Sequence, residues 1–182
     1  MQIRMAALLV ATFSIFATGC STTSGEAQYN ASTQNVIAIQ DHAGKSDKKV
    51  KLNDFTAAPG VNDTMWCRAN GPIAIGSGRT PAQFIHDALQ EELFLAQAYS
   101  NNSPTVISGH IDELKFSSIS PAGWDITITL SSSTGASYQT KARYNFDSSW
   151  NAISACKNVA DAFAPAVQET LRKAIFDAVS NR

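Results

Sequence analysis

Two stretches of strict alternation between apolar and polar residues constrain the fold of this 182-residue chain most strongly. In Trp124–Leu130 every even-numbered residue is apolar and every odd-numbered residue is polar, and Tyr138–Phe146 repeats the alternation. A period of two is typical of a β-strand with one buried face, and it places Trp124 on that face. The connection, residues 131–137, contains Gly135, so a β-hairpin is the simplest arrangement.

Two further segments predict strands beside this hairpin. Val50–Phe55 alternates in the same way and is predicted as the first strand of the domain. Thr105–Phe116 is predicted as a strand in which the apolar phase changes near Asp112 and Glu113. A β-bulge at that point would bring both halves onto one face of the sheet.

Two long helices complete the predicted domain. Thr80-Pro81-Ala82-Gln83 is a capping-box start, and an apolar stripe follows at helical spacing to about Tyr99. A second stripe runs from about Asn158 to Ser180, where Pro165 predicts a kink or a late helix start. The order β-α-β-β-β-α predicts an α+β fold, an antiparallel sheet of about four strands with both helices on one face.

The N-terminal segment has the layout of a signal peptide. Its apolar run, Ala6–Ala17, is about twelve residues long, whereas a membrane-spanning helix needs roughly 20. Small residues and a cysteine follow, Ala17-Thr18-Gly19-Cys20, and this sequence resembles the lipobox of bacterial lipoproteins. Two alternatives stay open: an ordinary cleaved signal peptide with a chance cysteine, and a short N-terminal hydrophobic helix.

The lipobox resemblance implies lipidation of Cys20 and a location in the cell envelope. In such lipoproteins the thiol receives a diacylglyceryl group and the new amino terminus is acylated, with palmitate as the expected chain. Two or more chains give stable membrane anchoring. Ser21 resembles the residue found in lipoproteins forwarded to the outer membrane, so we expect an outer-membrane protein facing the periplasm.

The lipobox also divides the chain into three parts. Residues 1–19 are the signal peptide, residues 20–49 are a lipidated polar tether, and residues 50–182 are a single α+β domain. The apolar segment Val36–Ile39 interrupts the tether, and it is either part of that tether or an added edge strand.

The cysteine count predicts a disulfide, and the charge argues against nucleic acid as a partner. If lipid occupies Cys20, then Cys67 and Cys156 remain as a pair in an oxidising compartment, and we predict a disulfide between them. Two buried free thiols are the alternative, and a metal site is disfavoured because neither cysteine has a nearby second ligand. With 14 basic and 15 acidic residues and no basic stripe, the chain is not expected to bind nucleic acid.

Several other residues are candidates for a catalytic or binding site. The loop Gly76-Ser77-Gly78-Arg79 precedes a helix and could cradle an anion, but a plain loop with a capping box is favoured because no phosphate-binding motif matches. His86 and His110 are candidate bases or metal ligands without metal-ligand spacing, and the third histidine, His42, lies in the tether. Catalysis, a cofactor and a metal are therefore not expected.

The paired acidic residues and most of the tryptophans are predicted to have structural roles. Glu91-Glu92 and Asp112-Glu113 are predicted to lie on solvated faces rather than to form acid/base pairs. Trp66 is predicted to cover the core or sheet, whereas Trp150, in a loop between polar residues, is a candidate for a binding surface.

The order of these features resembles a group of envelope proteins. In the order of its elements the chain is similar to YajG-like outer-membrane lipoproteins and to auxiliary lipoproteins of ABC-type transport systems. These elements are a lipobox, a tether, a strand ending in Asp54-Phe55, the helix Phe84–Leu93, Val106–Ile111, two long strands and a closing helix. The resemblance implies a non-enzymatic lipoprotein whose sheet or long loop binds another envelope component as a transport or assembly accessory. The alternative is a small-ligand or lipid-binding module with a groove between helix and sheet.

Overall fold

Three long antiparallel strands form the centre of the protein in a computed structural model that describes residues 23–24, 28–43, 49–61 and 65–180. The elements in chain order are β1 (Thr23–Ser24), α1 (Thr33–Ala43), β2 (Lys51–Leu52), β3 (Thr56–Ala57), β4 (Met65–Trp66), β5 (Pro72–Ala74), α2 (Pro81–Leu95), β6 (Val106–Ser117), β7 (Gly123–Ser132), β8 (Ser137–Asn145), α3 (Ala152–Asp161) and α4 (Phe163–Ser180). The α+β class predicted from the sequence is confirmed.

The hairpin and the bulge are both present in the main sheet. β7 pairs with β6 on one side and with β8 on the other, both antiparallel. The β6–β7 register shifts between Ile111 and Glu113, as the change of apolar phase predicted. Because one extra residue is accommodated there, Ile111 and Leu114 both lie on the buried face, opposite Ile128 and Ile126.

The first strand differs from the prediction of a wholly antiparallel sheet. Within the predicted strand Val50–Phe55, only Lys51–Leu52 form β2; β3 follows, and both short strands pair with β6 in parallel. The physical reason is the intervening helix α2, which returns the chain to the same end of the sheet before β6 begins. The sheet is therefore mixed, with one parallel edge and three antiparallel strands.

The tether interpretation of residues 20–49 also differs from the structure. Residues 33–43 form α1, which contacts α2 and α4, and the buried residues nearby are Tyr29, Asn35 and Ile39. The segment Val36–Ile39 is thus neither tether nor edge strand but part of this helix. At least residues 28–43 pack on the domain, so its boundary precedes residue 50.

The first long helix begins at its predicted start signal, whereas the closing helix differs in its start. The Thr80 side chain accepts a hydrogen bond from the Gln83 amide, and the Gln83 side chain accepts one from the Thr80 amide, which completes the capping box of α2. The closing helix is divided at Ala162 into α3 and α4, and Pro165 is the third residue of α4. The closing helical segment begins at Ala152, earlier than the predicted start at about Asn158. The interruption that Pro165 predicted is present at Ala162, and the proline lies in the first turn of α4, where it is tolerated.

The core lies between the sheet and the helices α2, α3 and α4. The rings of Phe84 and Trp124 each lie against the ring of Phe163, with centroids 5.0 and 5.1 Å apart. Trp124 is fully buried, as its phase predicted, and its indole nitrogen donates to the Val159 carbonyl at 2.8 Å. No helix in the described ranges has the length and apolar character needed to cross a membrane.

Candidate functional site

The paired cysteines lie at one end of the domain. Cys67 precedes a short 3-10 turn, residues 68–70, and Cys156 lies in α3. Although they lie 89 positions apart in the sequence, their sulfur atoms are 2.09 Å apart and their Cα atoms 5.8 Å apart. Both side chains are buried. The two residues therefore have the geometry of the disulfide that the cysteine count predicted.

Arg68 joins three loops at this disulfide end. Its Nε donates to Ser118 Oγ at 3.1 Å and its Nη2 to the Ser118 carbonyl at 2.7 Å, while its Nη1 reaches the Trp150 carbonyl at 3.4 Å. Ser148 Oγ donates to the same Ser118 carbonyl at 2.6 Å. The loops after Cys67, after β6 and before α3 are consequently held together by one guanidinium group.

Four large apolar side chains on the segments next to Arg68 and the disulfide are exposed. Trp66 is 69 % exposed, Ile119 69 %, Trp150 104 % and Ile153 65 %. The prediction that Trp66 covers the core or the sheet is wrong. Trp150 is exposed, as a candidate for a binding surface must be. We call these four side chains the disulfide-end patch.

The N-terminal strand is attached to the same end. β1 pairs in parallel with β5, which pairs on its other side with β4, the strand that carries Trp66. α3 also contacts β1. The predicted lipidation site, Cys20, lies outside the described residues, but it precedes Thr23 by only three positions in the sequence.

A second unusual region is a buried polar cluster beneath α1. Glu92 is completely buried, and its Oε1 accepts hydrogen bonds from Tyr29 Oη at 2.5 Å, Asn35 Nδ2 at 2.8 Å and the Ser32 amide at 3.3 Å. Asn35 Nδ2 also donates to the Gln168 carbonyl of α4 at 3.1 Å. In the described part of the chain, Glu92 Oε2 and Asn35 Oδ1 have no hydrogen-bond partner.

Burial determines the protonation of this cluster. It raises the pKa of Glu92, although the hydrogen bonds from Tyr29, Asn35 and Ser32 act in the opposite direction. Burial, together with the neighbouring Glu92 charge, also raises the pKa of Tyr29. The phenol therefore stays a hydrogen-bond donor, and the Glu92 carboxyl group holds its proton more tightly than an exposed glutamate does.

The burial of Glu92 contradicts the prediction that the Glu91-Glu92 pair is solvated. Glu91 is exposed as expected. Glu92, however, lies three residues after Leu89 and seven after Ile85, so it falls within the apolar stripe of α2. That spacing is the signal that could have identified it, because a charged residue in a buried stripe needs an internal partner.

The two candidate histidines lie on different sides of the sheet. The Phe55 ring contacts the His86 ring edge-on, with centroids 5.3 Å apart, whereas Thr56 Oγ1 is 2.7 Å from His110 Nδ1. Consecutive side chains of an extended chain point to opposite faces, so the two imidazoles do not meet. His86 Nδ1 is instead 3.0 Å from the Asp87 carboxylate. The third histidine, His42, lies in α1.

In the loop before α2, the Arg79 side chain makes contacts within the protein. Arg79 Nε donates to the Gly76 carbonyl at 3.0 Å, its Nη1 lies 2.9 Å from Asp87, and its guanidinium carbon lies 5.3 Å from the centre of the Phe84 ring. Gly76 has a φ of 68°, and a Cβ there would come within 2.9 Å of Phe84. These contacts favour the plain-loop interpretation over an anion cradle.

The outer face of the sheet carries charges of both signs. Glu113 forms ion pairs with Lys115 at 2.5 Å and with Lys141 at 3.8 Å, and Arg143 pairs with Asp125 at 2.5 Å. The hydrogen bond and charge of Lys115 lower the pKa of Glu113, which stays ionised. For Asp112-Glu113, the solvated-face interpretation agrees with this arrangement.

An open groove of about 570 Å³ lies beside the β6 bulge. It is lined by Pro59, Gly60, Val61, Met65, Asp112, Glu113, Leu114, Lys115 and Thr127. Apolar and charged side chains therefore share its wall.

Among residues 23–24, 28–43, 49–61 and 65–180, no group of three or more His, Cys, Asp or Glu residues is arranged to hold a metal ion.

Comparison with known proteins supports the fold and nothing more specific. No protein-family model matches the chain, and no curated protein matches its sequence. Among solved structures, it is similar to the crystal structure of protein XCC0632 from Xanthomonas campestris, assigned to the family DUF330, with a TM-score of 0.51 and 8 % sequence identity. The match covers 88 % of this chain and 98 % of the other. At this identity the similarity shows that the two chains share an α+β architecture.

Proposed function

We propose that this chain is an exported lipoprotein, anchored through Cys20, that serves as a non-enzymatic accessory in the bacterial cell envelope. The observation that carries the proposal is the placement of Cys67 beside Cys156. This pair accounts for two of the three cysteines and leaves Cys20, within its lipobox-like sequence, for lipid. Stable disulfides belong to oxidising compartments such as the periplasm.

The positions of the candidate bases support a non-enzymatic role. His86 is held between Asp87 and the Phe55 ring, and His110 is hydrogen-bonded to Thr56 on the other face. A nucleophilic mechanism needs a base and a nucleophile within hydrogen-bond reach, and a third group to orient the base. The histidines are instead separated by the sheet and engaged in structural contacts.

The packing of the core argues against the alternative of a ligand groove between helix and sheet. That space is filled by Phe84, Trp124 and Phe163, whose rings contact one another. The open groove beside the β6 bulge is a better candidate for contact with an envelope protein. It combines apolar residues, including Val61 and Leu114, with a charged rim that includes Lys115.

Lipidation is tested by mass spectrometry of the mature protein and by fractionation of cells. We expect an N-terminal peptide that begins at Cys20 and carries a diacylglyceryl group and an acyl chain. The substitution Cys20→Ala should abolish that modification and remove the mature protein from the outer-membrane fraction. Thr22→Ala is the matched control, because it changes a neighbouring residue and leaves both Cys20 and the disulfide unchanged. An unmodified Cys20 in the mature wild-type protein would refute the proposal.

The accessory role is tested by crosslinking in the native envelope. A photo-crosslinking residue at Lys115, on the rim of the groove, should capture a reproducible envelope protein. The same residue at Phe176, exposed on α4, is the control position and should not capture that protein. Equal capture from both positions, or no reproducible product from Lys115, would count against binding at the groove.

A further inference from the structure

The disulfide-end patch is an unusual surface because its four members lie on four segments, β4, the loop after β6, the loop before α3 and the first turn of α3, which the disulfide and Arg68 hold together. Trp66 precedes Cys67, and Ile153 precedes Cys156 by three positions, so the disulfide geometry brings these two apolar residues to one end. Single exposed apolar residues are ordinary on protein surfaces, whereas contiguous ones mark contact sites.

Arg68 brings the other two members of the patch to the same place. Its guanidinium donates to the carbonyl of Ser118, which precedes Ile119, and reaches the carbonyl of Trp150 itself. The backbone of both loops is therefore fixed while their apolar side chains remain in solvent. Such residues add nothing to the core, so their exposure calls for a partner outside the chain.

The N-terminus shows where that partner lies. Three residue steps separate Cys20 from Thr23, and three steps of chain span at most about 11 Å. Thr23 pairs with Ile73 of β5, and β4 lies on the other side of β5. Neighbouring strands are about 4.8 Å apart, so Trp66 lies only about 10 Å across this small sheet from β1.

The chemistry of the patch fits a lipid surface. Tryptophan is enriched at the interface between headgroups and acyl chains, because its ring is apolar and its N–H still needs a polar partner. The isoleucines supply apolar area for the acyl boundary. Arg68 and Lys157 supply cations near phosphate headgroups, Lys157 while paired with Asp161.

We propose that the disulfide-end patch rests on the bilayer to which Cys20 is anchored, with Trp66 and Trp150 at the headgroup level. The proposal rests on the lipidation proposed above. It assigns the end of the domain near β1 to the membrane and leaves the outer face of the sheet free for a protein. The domain is thus held against the lipid surface in one orientation instead of hanging from a flexible tether.

The test uses the full-length lipidated protein, purified from membranes and reconstituted in phosphatidylcholine and phosphatidylglycerol vesicles with plain or brominated acyl chains. Brominated chains quench tryptophan emission on contact. The wild-type protein should lose the emission of Trp66 and Trp150 and keep that of Trp124, which is fully buried. In Trp66→Phe/Trp150→Phe the quenching should disappear.

A matched control places a tryptophan at the other end of the domain. Phe94 is 70 % exposed near the end of α2, where the Ala98 carbonyl binds the Val50 amide beside the start of β6. Ile119 follows the end of β6, and a twelve-residue strand is about 40 Å long. In the Trp66→Phe/Trp150→Phe background, Phe94→Trp should add emission that brominated lipids do not quench.

The outcomes separate this inference from the proposed lipoprotein. A protein that does not co-sediment with vesicles would refute the anchor itself. An anchored protein whose wild-type emission resists brominated lipids, or whose Phe94→Trp control is quenched equally, would overturn the membrane contact. If Trp66 and Trp150 resist both brominated lipids and aqueous iodide, a protein or a second copy covers the patch, which also overturns it.

Discussion

The disulfide end and the buried cluster around Glu92 depart in opposite ways from the usual distribution of residues. At the disulfide end, tryptophan and isoleucine side chains stand in water, whereas beneath α1 a carboxyl group, an amide and a phenol lie in the core. Both regions also receive the N-terminal segment, the first through β1 and the second through residues 29–35.

The two regions differ in what offsets their unusual burial or exposure. Glu92 Oε1 finds its hydrogen-bond donors within the chain, namely Tyr29, Ser32 and Asn35. The disulfide-end patch has no comparable internal cover, and we propose that the membrane supplies it. Changes in the cluster should therefore alter stability, whereas changes of side chain in the patch should alter membrane contact.

Loss of the disulfide should have the largest effect on stability. The double substitution Cys67→Ala/Cys156→Ala opens a link between residues 89 positions apart, and the chain-entropy model gives a loss of about 4 kcal/mol in the free energy of unfolding. Urea unfolding with and without reductant measures it. Reductant should destabilise the wild-type protein and leave the double variant unchanged, and a wild-type protein insensitive to reductant would contradict the bond.

Removal of the Glu92 carboxyl group should have the next largest effect. Glu92→Ala leaves the buried Tyr29 hydroxyl and the Ser32 amide without their acceptor, which costs about 1–3 kcal/mol per group left unsatisfied. Chemical denaturation measures the loss, and proteolysis before α2 should show whether α1 has been released. Glu91→Ala is the control, since Glu91 is exposed, and an equal loss in both variants would contradict the role of the cluster.

The pH dependence of the cluster should be smaller and should have a definite sign. Because the pKa of Glu92 is raised in the folded protein, its contribution to stability is fully present below the ordinary pKa of glutamate and is lost as the pH rises through the folded value. Glu92→Gln cannot ionise, so its free energy of unfolding relative to that of the wild type should be larger at pH 8 than at pH 4. A difference that is constant with pH would exclude ionisation as its cause.

Substitutions in the disulfide-end patch should have the smallest effect on folding. Trp66→Ser and Trp150→Ser remove exposed side chains, so the free energy of unfolding without lipid should change by less than about 0.5 kcal/mol. Trp124→Phe, in the core, is the contrasting variant, and its loss should be clearly larger. A large loss in Trp150→Ser would show that the patch is part of the folded core.

The fold was predictable from the sequence wherever a short-range pattern carries the information. The alternation in β7 and β8, the phase change at Asp112 and the capping box at Thr80 each depend on neighbours within a few residues. The candidate site was predictable only in part. The cysteine pair follows from counting, but the exposure of Trp66 depends on which loops meet at Arg68.

By itself, the sequence determined the α+β class, the hairpin, the bulge and the helix starts, because these follow from periodicity and local hydrogen bonding. Only the tertiary structure decided that β2 and β3 run parallel to β6, that α1 packs on the domain, and that Glu92 is buried while Trp66 is not. These properties depend on contacts between residues far apart in the chain. The alignment of β1 with the disulfide end is of the same kind, and it gives Cys20 its proposed place beside a membrane-contact surface.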